Sequence, residues 1–243
     1  MLADHDQVRE RRRQRRHHRY EKPELLATSE NELWSWDITK LKGSAPFHYY
    51  YRYVIIDVFS CYVPGFMVAE CESAELAREL IEISFQRQSI VPPQLTFHSD
   101  RGPAMKAKSV ALLLSDLGVK KQHKRPHVSN DNPFSEAQFK TVKYHPTFPD
   151  RFGSLQDVRA WAQDFFDWYN NHHRHSSLGL LTPFMVHYGQ VEHIREQRKQ
   201  VLAAAYNAHP ERFVRGISSP EPLPEAVWIN PPKNEKEDTK PLH

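Results

Sequence analysis

Three consecutive segments of the chain are rich in β-branched and aromatic residues, a composition typical of β-strands. The segments are 33–41 (LWSWDITKL), 51–60 (YRYVIIDVFS) and 63–71 (VPGFMVAEC). The short connection at 60–64 fits a hairpin between the second and the third. The pattern therefore predicts three successive strands at the start of a sheet.

Helical and strand patterns then alternate along the chain. In order, they predict a helix over 73–89 capped by Ser73, a strand over 95–98, and a helix over 106–117 closed by Gly118. These are followed by an edge strand over 119–125, a helix that begins at Asn132-Pro133 with Asn132 as its cap, and an amphipathic helix over 154–174. The order βββαβαβα is typical of an α/β fold. We expect a mixed five-stranded sheet flanked by helices, antiparallel at first and then parallel through crossovers.

The two ends of the chain differ from this body, which spans 31–190. Residues 1–30 are polar and rich in arginine, and they predict a basic N-terminal arm. Residues 191–243 predict a polar helix and a proline-rich tail, in which positions 210–243 hold seven of the eighteen prolines. We expect that tail to be an extended arm rather than a second core.

Composition excludes several classes of protein. Of the 243 residues, 39% are hydrophobic and 26% are charged, a balance that excludes a wholly disordered chain. The mean hydropathy is −0.71, and no apolar run is long enough for a membrane span. Two cysteines cannot build a disulfide framework, and the first residues lack the apolar stretch of a signal peptide. We expect a cytoplasmic protein.

Charge is unevenly distributed, although the net charge is only +3. Residues 9–22 hold seven arginines and one lysine against two glutamates, and residues 120–145 hold six lysines or arginines against two acids. Two basic stretches on a near-neutral body indicate a polyanionic partner such as nucleic acid. Solvated surface charge is an equally good explanation of either stretch taken alone.

Three acids stand where the predicted elements change: Asp37 in mid-strand, Asp100 directly after the fourth strand, and Glu136 in the first turn of the helix that follows Asn132. A carboxylate inside an apolar strand is costly unless its charge is compensated, and a metal ion would compensate it. Each acid also has an ordinary explanation, as a satisfied buried acid, a turn residue or a helix N-terminal charge.

The sequence segments around these three acids make the Asp-Asp-Glu pattern specific. The segments WSWDIT (34–39), HSDRG (98–102) and NPFSE (132–136), with Lys140 and Lys143 after them, resemble the catalytic core of DDE transposases and retroviral integrases. The nearest resemblance is to bacterial insertion sequences of the insertion-sequence-three type, in their second-frame product. The segment from Tyr169-Asn170 to Thr182-Pro183 resembles the C-terminal pattern of that group, with insertions.

The resemblance implies a ribonuclease-H-like fold in which Asp37, Asp100 and Glu136 bind two Mg²⁺ ions, with Mn²⁺ as a substitute. It implies metal-dependent cleavage at transposon ends and transfer of a 3′-hydroxyl into target DNA. Oxygen ligands suit Mg²⁺ better than the abundant histidines do. The cluster His172, His173 and His175 has no nearby cysteine and lies at the exposed end of a predicted helix, so it is expected to be solvated or DNA-facing rather than a zinc site.

Further roles follow from the resemblance. Lys143, on the same helical face as Glu136, and Lys140 are expected to contact DNA, although Lys143 could be a solvated lysine and Lys140 a helix-stabilising partner of Glu136. His98 and Asn132 are expected to support the site from outside the metal ligands, although His98 could be a core histidine and Asn132 a plain cap. Asp57 lies where the family also has an acid that is not a ligand. The arginines expected to contact phosphates are Arg11, Arg12, Arg13, Arg15 and Arg16.

The expected partners are transposon-end and target DNA, further copies of the chain, and a helix-turn-helix protein from an upstream reading frame. We expect the protein to be associated with the bacterial nucleoid and to make no contact with a membrane. Two departures from the family pattern are Cys61, where arginine is usual, and Pro133, where a small residue is usual. Two alternatives stay open. One is a catalytically silent or truncated remnant that only binds DNA, and the other is a nuclease or resolvase of the same fold.

Deleting residues 1–22 tests the basic arm. The deletion removes the local cluster of arginines, so fewer counterions should be released on DNA binding. The slope of log affinity against log salt concentration should therefore become shallower, by about one unit for each phosphate that the arm neutralises. Fluorescence anisotropy with a labelled duplex measures this, and an unchanged slope would leave the arm as solvated charge.

Overall fold

The computed structural model of the protein describes residues 24–90, 95–99, 107–123 and 132–231. Its strands are β1 (Leu25–Ala27), β2 (Leu33–Lys42), β3 (Tyr49–Asp57), β4 (Gly65–Ala69), β5 (Thr96–Ser99), β6 (Lys120–His123) and β7 (Val227–Ile229). Its α-helices are α1 (Ala74–Gln88), α2 (Lys108–Asp116), α3 (Pro133–Lys143), α4 (Leu155–Asn171), α5 (Pro183–His187) and α6 (Val191–Ala208). No helix in these ranges is long and apolar enough to cross a membrane.

Five strands form one mixed sheet in the order β4-β3-β2-β5-β6. Strands β4, β3 and β2 pair antiparallel, whereas β2, β5 and β6 pair parallel. Strand β6 lies at the edge, as predicted for the segment 119–125. The predicted fold, an α/β structure whose sheet begins antiparallel and continues parallel, is confirmed.

The two faces of the sheet bury different sets of side chains. Alternation along β2 directs Trp34 and Trp36 to one face, where they pack in a single core with residues of α1 and α2. Leu41 lies on the other face, in a core with Val142 of α3 and the aromatic row of α4. The sheet is thus a middle layer between two pairs of helices, and the aromatic row of α4 (Trp161, Phe165, Phe166, Trp168 and Tyr169) belongs to the core.

Local signals set the helix ends. The Ser73 hydroxyl accepts a hydrogen bond from the Leu76 N–H at 3.2 Å, which caps α1 as predicted. Gly118 adopts a positive φ of 65° and closes α2, since a left-handed residue after a helix favours glycine. Helix α4 ends at Asn171, three residues before its predicted end.

A second, two-stranded sheet joins the ends of the described chain, and the sequence pattern did not predict it. Strand β1 pairs antiparallel with β7, with Leu25 opposite Ile229. Ile229 packs with Ala27, Leu33 and Val58, so part of the tail belongs to the folded body. The expectation that the whole tail is an extended arm is wrong here, and strand β1 begins inside the segment assigned to the N-terminal arm. Three-residue strands are too short to show a periodicity.

Truncating Ile229 tests whether this small sheet holds the tail to the body. Ile229 is completely buried, so Ile229→Ala should lower the free energy of unfolding by about 2–4 kcal/mol through reduced burial and a cavity. Val214→Ala is the matched control, because Val214 is 95% exposed, and it should change stability by less than ~0.5 kcal/mol. Urea unfolding measures the stability of both variants. Equally small effects of the two substitutions would mean that β7 does not stabilise the fold.

Candidate active site

Asp37 lies in the middle of β2, the central strand of the sheet. Its side chain is half-buried, and the Thr39 hydroxyl donates a hydrogen bond to Asp37 Oδ2 at 3.1 Å. Alternation along the strand puts Ser35, Asp37 and Thr39 on one face. That face is the one covered by α3 and α4.

Hydrogen bonds tie the start of α3 to β2 immediately beside Asp37. The Ser35 hydroxyl donates to Asn132 Oδ1 and lies 3.0 Å from the Ser135 hydroxyl. The Asn132 amide nitrogen donates to the Trp36 carbonyl at 3.2 Å. All three of Ser35, Asn132 and Ser135 are buried. The first turn of α3 is therefore held against β2 at Ser35 and Trp36, the two residues immediately before Asp37.

Asn132 occupies the N-cap position of α3, as predicted, but its side chain makes no capping hydrogen bond. The expectation of an ordinary side-chain cap is wrong, because both ends of the amide are used across the gap to β2. Pro133 follows at the first helical position, where a missing N–H costs nothing.

Glu136 stands in the first turn of α3, and its side chain is exposed. Ser135, Gln138 and Val142 form the buried side of the helix, so Glu136, Lys140 and Lys143 share the solvent side. The Lys143 ammonium lies 5.8 Å from the centroid of the Tyr144 ring. One acid and two cations thus line an open surface next to the attachment of α3.

Asp100 lies outside the described residues, as do Arg11, Arg12, Arg13, Arg15 and Arg16. The structure does describe how strands β2 and β5 pair just before Asp100. In this parallel pair, Ser35 lies opposite His98 and Trp36 lies opposite Ser99. Asp37 and Asp100 are the next residues in the chain after the Trp36–Ser99 pair. His98 is completely buried and shares the face of Ser35, so it lies under the start of α3.

Arg52 is a charged residue of this site that sequence analysis missed. It lies in β3 opposite Thr39, on the same face as Asp37, and it is 2% exposed. Burial lowers the pKa of the guanidinium to about 10, and the Asp37 charge acts in the opposite direction. The available signal was a lone arginine inside the apolar strand YRYVIID.

Asp57 behaves as a structural acid. It is completely buried and accepts hydrogen bonds from the backbone N–H groups of Asn31 (2.7 Å) and Ser60 (2.8 Å) and from the Ser60 hydroxyl (2.7 Å). Burial raises its pKa to about 6, against the lowering effect of these hydrogen bonds. Asp57 pairs with Trp34, near the start of β2 and three residues before Asp37. Its bonds hold the β3–β4 turn.

The histidine cluster packs against protein rather than facing solvent as a group. His173 stacks on the Tyr169 ring, and His175 Nε2 lies 3.1 Å from the Tyr169 hydroxyl. Burial, followed by the His173 charge, lowers the pKa of His175 to about 4. The expectation of solvated histidines holds only for His172, because α4 ends earlier than predicted and the chain folds back.

Within the described ranges, no group of three or more His, Cys, Asp or Glu side chains is arranged to hold a metal ion. Asp37 and Glu136 offer carboxylate oxygens from a strand and from a helix that is fixed to that strand. A third carboxylate from the segment after β5 would complete a hard, oxygen-only donor set, which is the kind that Mg²⁺ prefers.

Comparison with known proteins gives the family. Two models, each described as an integrase core domain, match residues 27–129 and 117–183. The chain is 23% identical over 160 residues to the IS150 transposase InsK of Escherichia coli K12, covering 66% of this chain and 56% of the relative. It is 26% identical over 161 residues to the IS3A transposase InsF of the same organism, covering 66% and 55%. The chain thus spans little more than half the length of these relatives.

The fold also has a solved counterpart. In a simian T-cell lymphotropic virus intasome, determined in complex with a regulatory subunit of PP2A, the matching chain has a TM-score of 0.53 and 18% identity. The match covers 66% of this chain and 55% of that one. The expected ribonuclease-H-like architecture is confirmed. The chain belongs to the integrase core family, with insertion-sequence transposases of the IS3 type among its relatives.

Proposed function

We propose that the chain carries the catalytic core of a DNA transposase, a polynucleotidyl transferase that cleaves transposon ends and joins their 3′-hydroxyls to target DNA. The observation that carries the proposal is the attachment of α3 to β2 through Asn132, Ser35 and Ser135. It keeps the turn that bears Glu136 beside the strand that bears Asp37. Two acids far apart in the sequence are thereby held on one side of the sheet.

Asp37, Asp100 and Glu136 are the proposed ligands of two Mg²⁺ ions, with Mn²⁺ as a substitute. The donor set fits, since all three offer carboxylate oxygens and Asp37 already has a half-buried, polar setting beside Thr39. When bound, such ions activate an attacking water or hydroxyl and stabilise the leaving oxygen. Asp37 would hold the ions from the central strand of the sheet, and exposed Glu136 would hold them from the first turn of α3.

DNA is the proposed partner of the same surface. Lys140 and Lys143 extend from Glu136 along the exposed side of α3 and supply positive charge for backbone phosphates. His98 and Asn132 position the metal ligands through the strand and the helix start. We further propose that the chain works as a homo-oligomer, with a helix-turn-helix partner from an upstream frame, in the bacterial cytoplasm near the nucleoid.

The three ligands are tested by Glu136→Gln, Asp37→Asn and Asp100→Asn. Each change keeps the size of the side chain and removes the charge that holds a divalent ion. Mutating a residue that only supports a metal ligand typically reduces activity ~10–100-fold. Each of these ligand variants should reduce Mg²⁺-dependent cleavage by more than that. DNA affinity should stay near that of the wild type, because removing a negative charge does not weaken attraction to phosphate. Cleavage and binding are measured on one duplex that carries the terminal sequence of the element.

Two further variants serve as controls on the same duplex. Asp57→Asn, if folded, should retain cleavage, because Asp57 serves the β3–β4 turn. Lys143→Ala should weaken binding, reduce the salt slope by about one and recover activity at high DNA concentration. Normal cleavage by Glu136→Gln would contradict the proposal. Binding without any cleavage by the wild type would favour the silent DNA-binding alternative, and cleavage without joining would favour the nuclease.

A further inference from the structure

Arg52 is buried on the Asp37 side of the sheet, beneath α3 and α4. Its guanidinium carbon lies 5.6 Å from the centroid of the Phe139 ring and 5.9 Å from that of Phe166. Among the described residues, its Nε and Nη1 atoms have no hydrogen-bond partner. Aromatic faces attract a cation, but they do not replace the hydrogen bonds that a guanidinium makes in water.

The strand register puts this cation close to Asp37. Asp37 is opposite Val54, and Arg52 is two residues before Val54 on the same face, opposite Thr39. Such diagonal neighbours in an antiparallel pair are about 7–8 Å apart, within the reach of a long side chain. Thr39, the residue opposite Arg52, donates a hydrogen bond from its hydroxyl to Asp37. A buried charge is retained at low cost only near an opposite charge, and Asp37 supplies one.

On the basis of the proposed function, we propose that Arg52 is an internal counter-cation of Asp37 that weakens divalent-ion binding to the DNA-free site. The guanidinium neutralises the carboxylate while no metal is present. It also repels an incoming dication, because solvent screens the charge of a buried guanidinium only weakly. Phosphates of bound DNA would offset that repulsion, so the site would load its metal mainly after DNA arrives.

Calorimetric titration of the full chain with Mn²⁺, in the absence of DNA, tests this directly. Arg52→Met removes the charge and keeps much of the apolar bulk, and it should tighten Mn²⁺ binding by about 10-fold or more. Arg52→Lys keeps the charge and should stay within about 2-fold of the wild type. Arg78→Met is the matched control, because Arg78 is an exposed arginine of α1 paired with Glu82. It makes the same change in net charge and should leave Mn²⁺ binding unchanged.

Stability gives a second readout that does not involve metal. Without metal, Asp37→Asn should lower the melting temperature, because it leaves the buried guanidinium without its counter-charge. Adding Arg52→Met to Asp37→Asn should restore the melting temperature, since the pair is then removed together. Arg52→Gln replaces Arg52→Met in both measurements if the methionine variant does not fold.

The outcomes separate this inference from the proposed function. Mn²⁺ affinity that is unchanged or weaker in Arg52→Met, or additive melting temperatures in the double variant, would overturn the counter-cation role. If Asp37→Asn abolishes Mn²⁺ binding and cleavage while Arg52→Met binds like the wild type, the transposase site stands and only the inference fails. If Asp37→Asn binds Mn²⁺ and cleaves as the wild type does, the proposed metal site itself is wrong.

Discussion

The attachment of the first turn of α3 to β2 is the contact on which the candidate site depends. A helix that follows a sheet can pack at many positions along it, and apolar contacts alone fix that position poorly. Here Asn132 bonds to both Ser35 and the Trp36 carbonyl, and Ser135 adds a second contact to Ser35. Because these groups are buried, a shift of α3 by one residue would leave them unpaired at a cost of about 1–3 kcal/mol each.

Burial of charge distinguishes the two acids near the centre of the sheet. Asp57 is enclosed and accepts two hydrogen bonds from Ser60 and one from the Asn31 N–H, so its hydrogen-bonding capacity is used within the fold. Asp37 is half-buried, faces α3 and has a buried arginine two positions away across the strand pair. The buried cation of Arg52 needs the negative charge of Asp37 beside it. That need fits a site in which Asp37 interacts with cations.

The sheet and its flanking helices were predictable because their signals are local. Alternating apolar residues define β2, and Ser73, Gly118 and Pro133 mark helix boundaries through their own backbone chemistry. The pairing of β1 with β7 was not predictable, since each strand has three residues and the partners are about two hundred residues apart. Glu136 could be proposed from its surrounding motif, whereas Arg52 and the cross-strand use of Asn132 required the register and the packing of α3.

Iron-mediated cleavage of the polypeptide tests most directly whether Asp37 and Glu136 border one cation site. Fe²⁺ replaces Mg²⁺ at an oxygen-rich site, and with ascorbate and peroxide it generates radicals that cut the backbone nearby. The account predicts cuts close to residue 37 and at the start of α3 near residue 136, both suppressed by excess Mg²⁺ and absent in Asp37→Asn. Cuts confined to the histidines at 172–175, or cuts near 37 without any near 136, would contradict it.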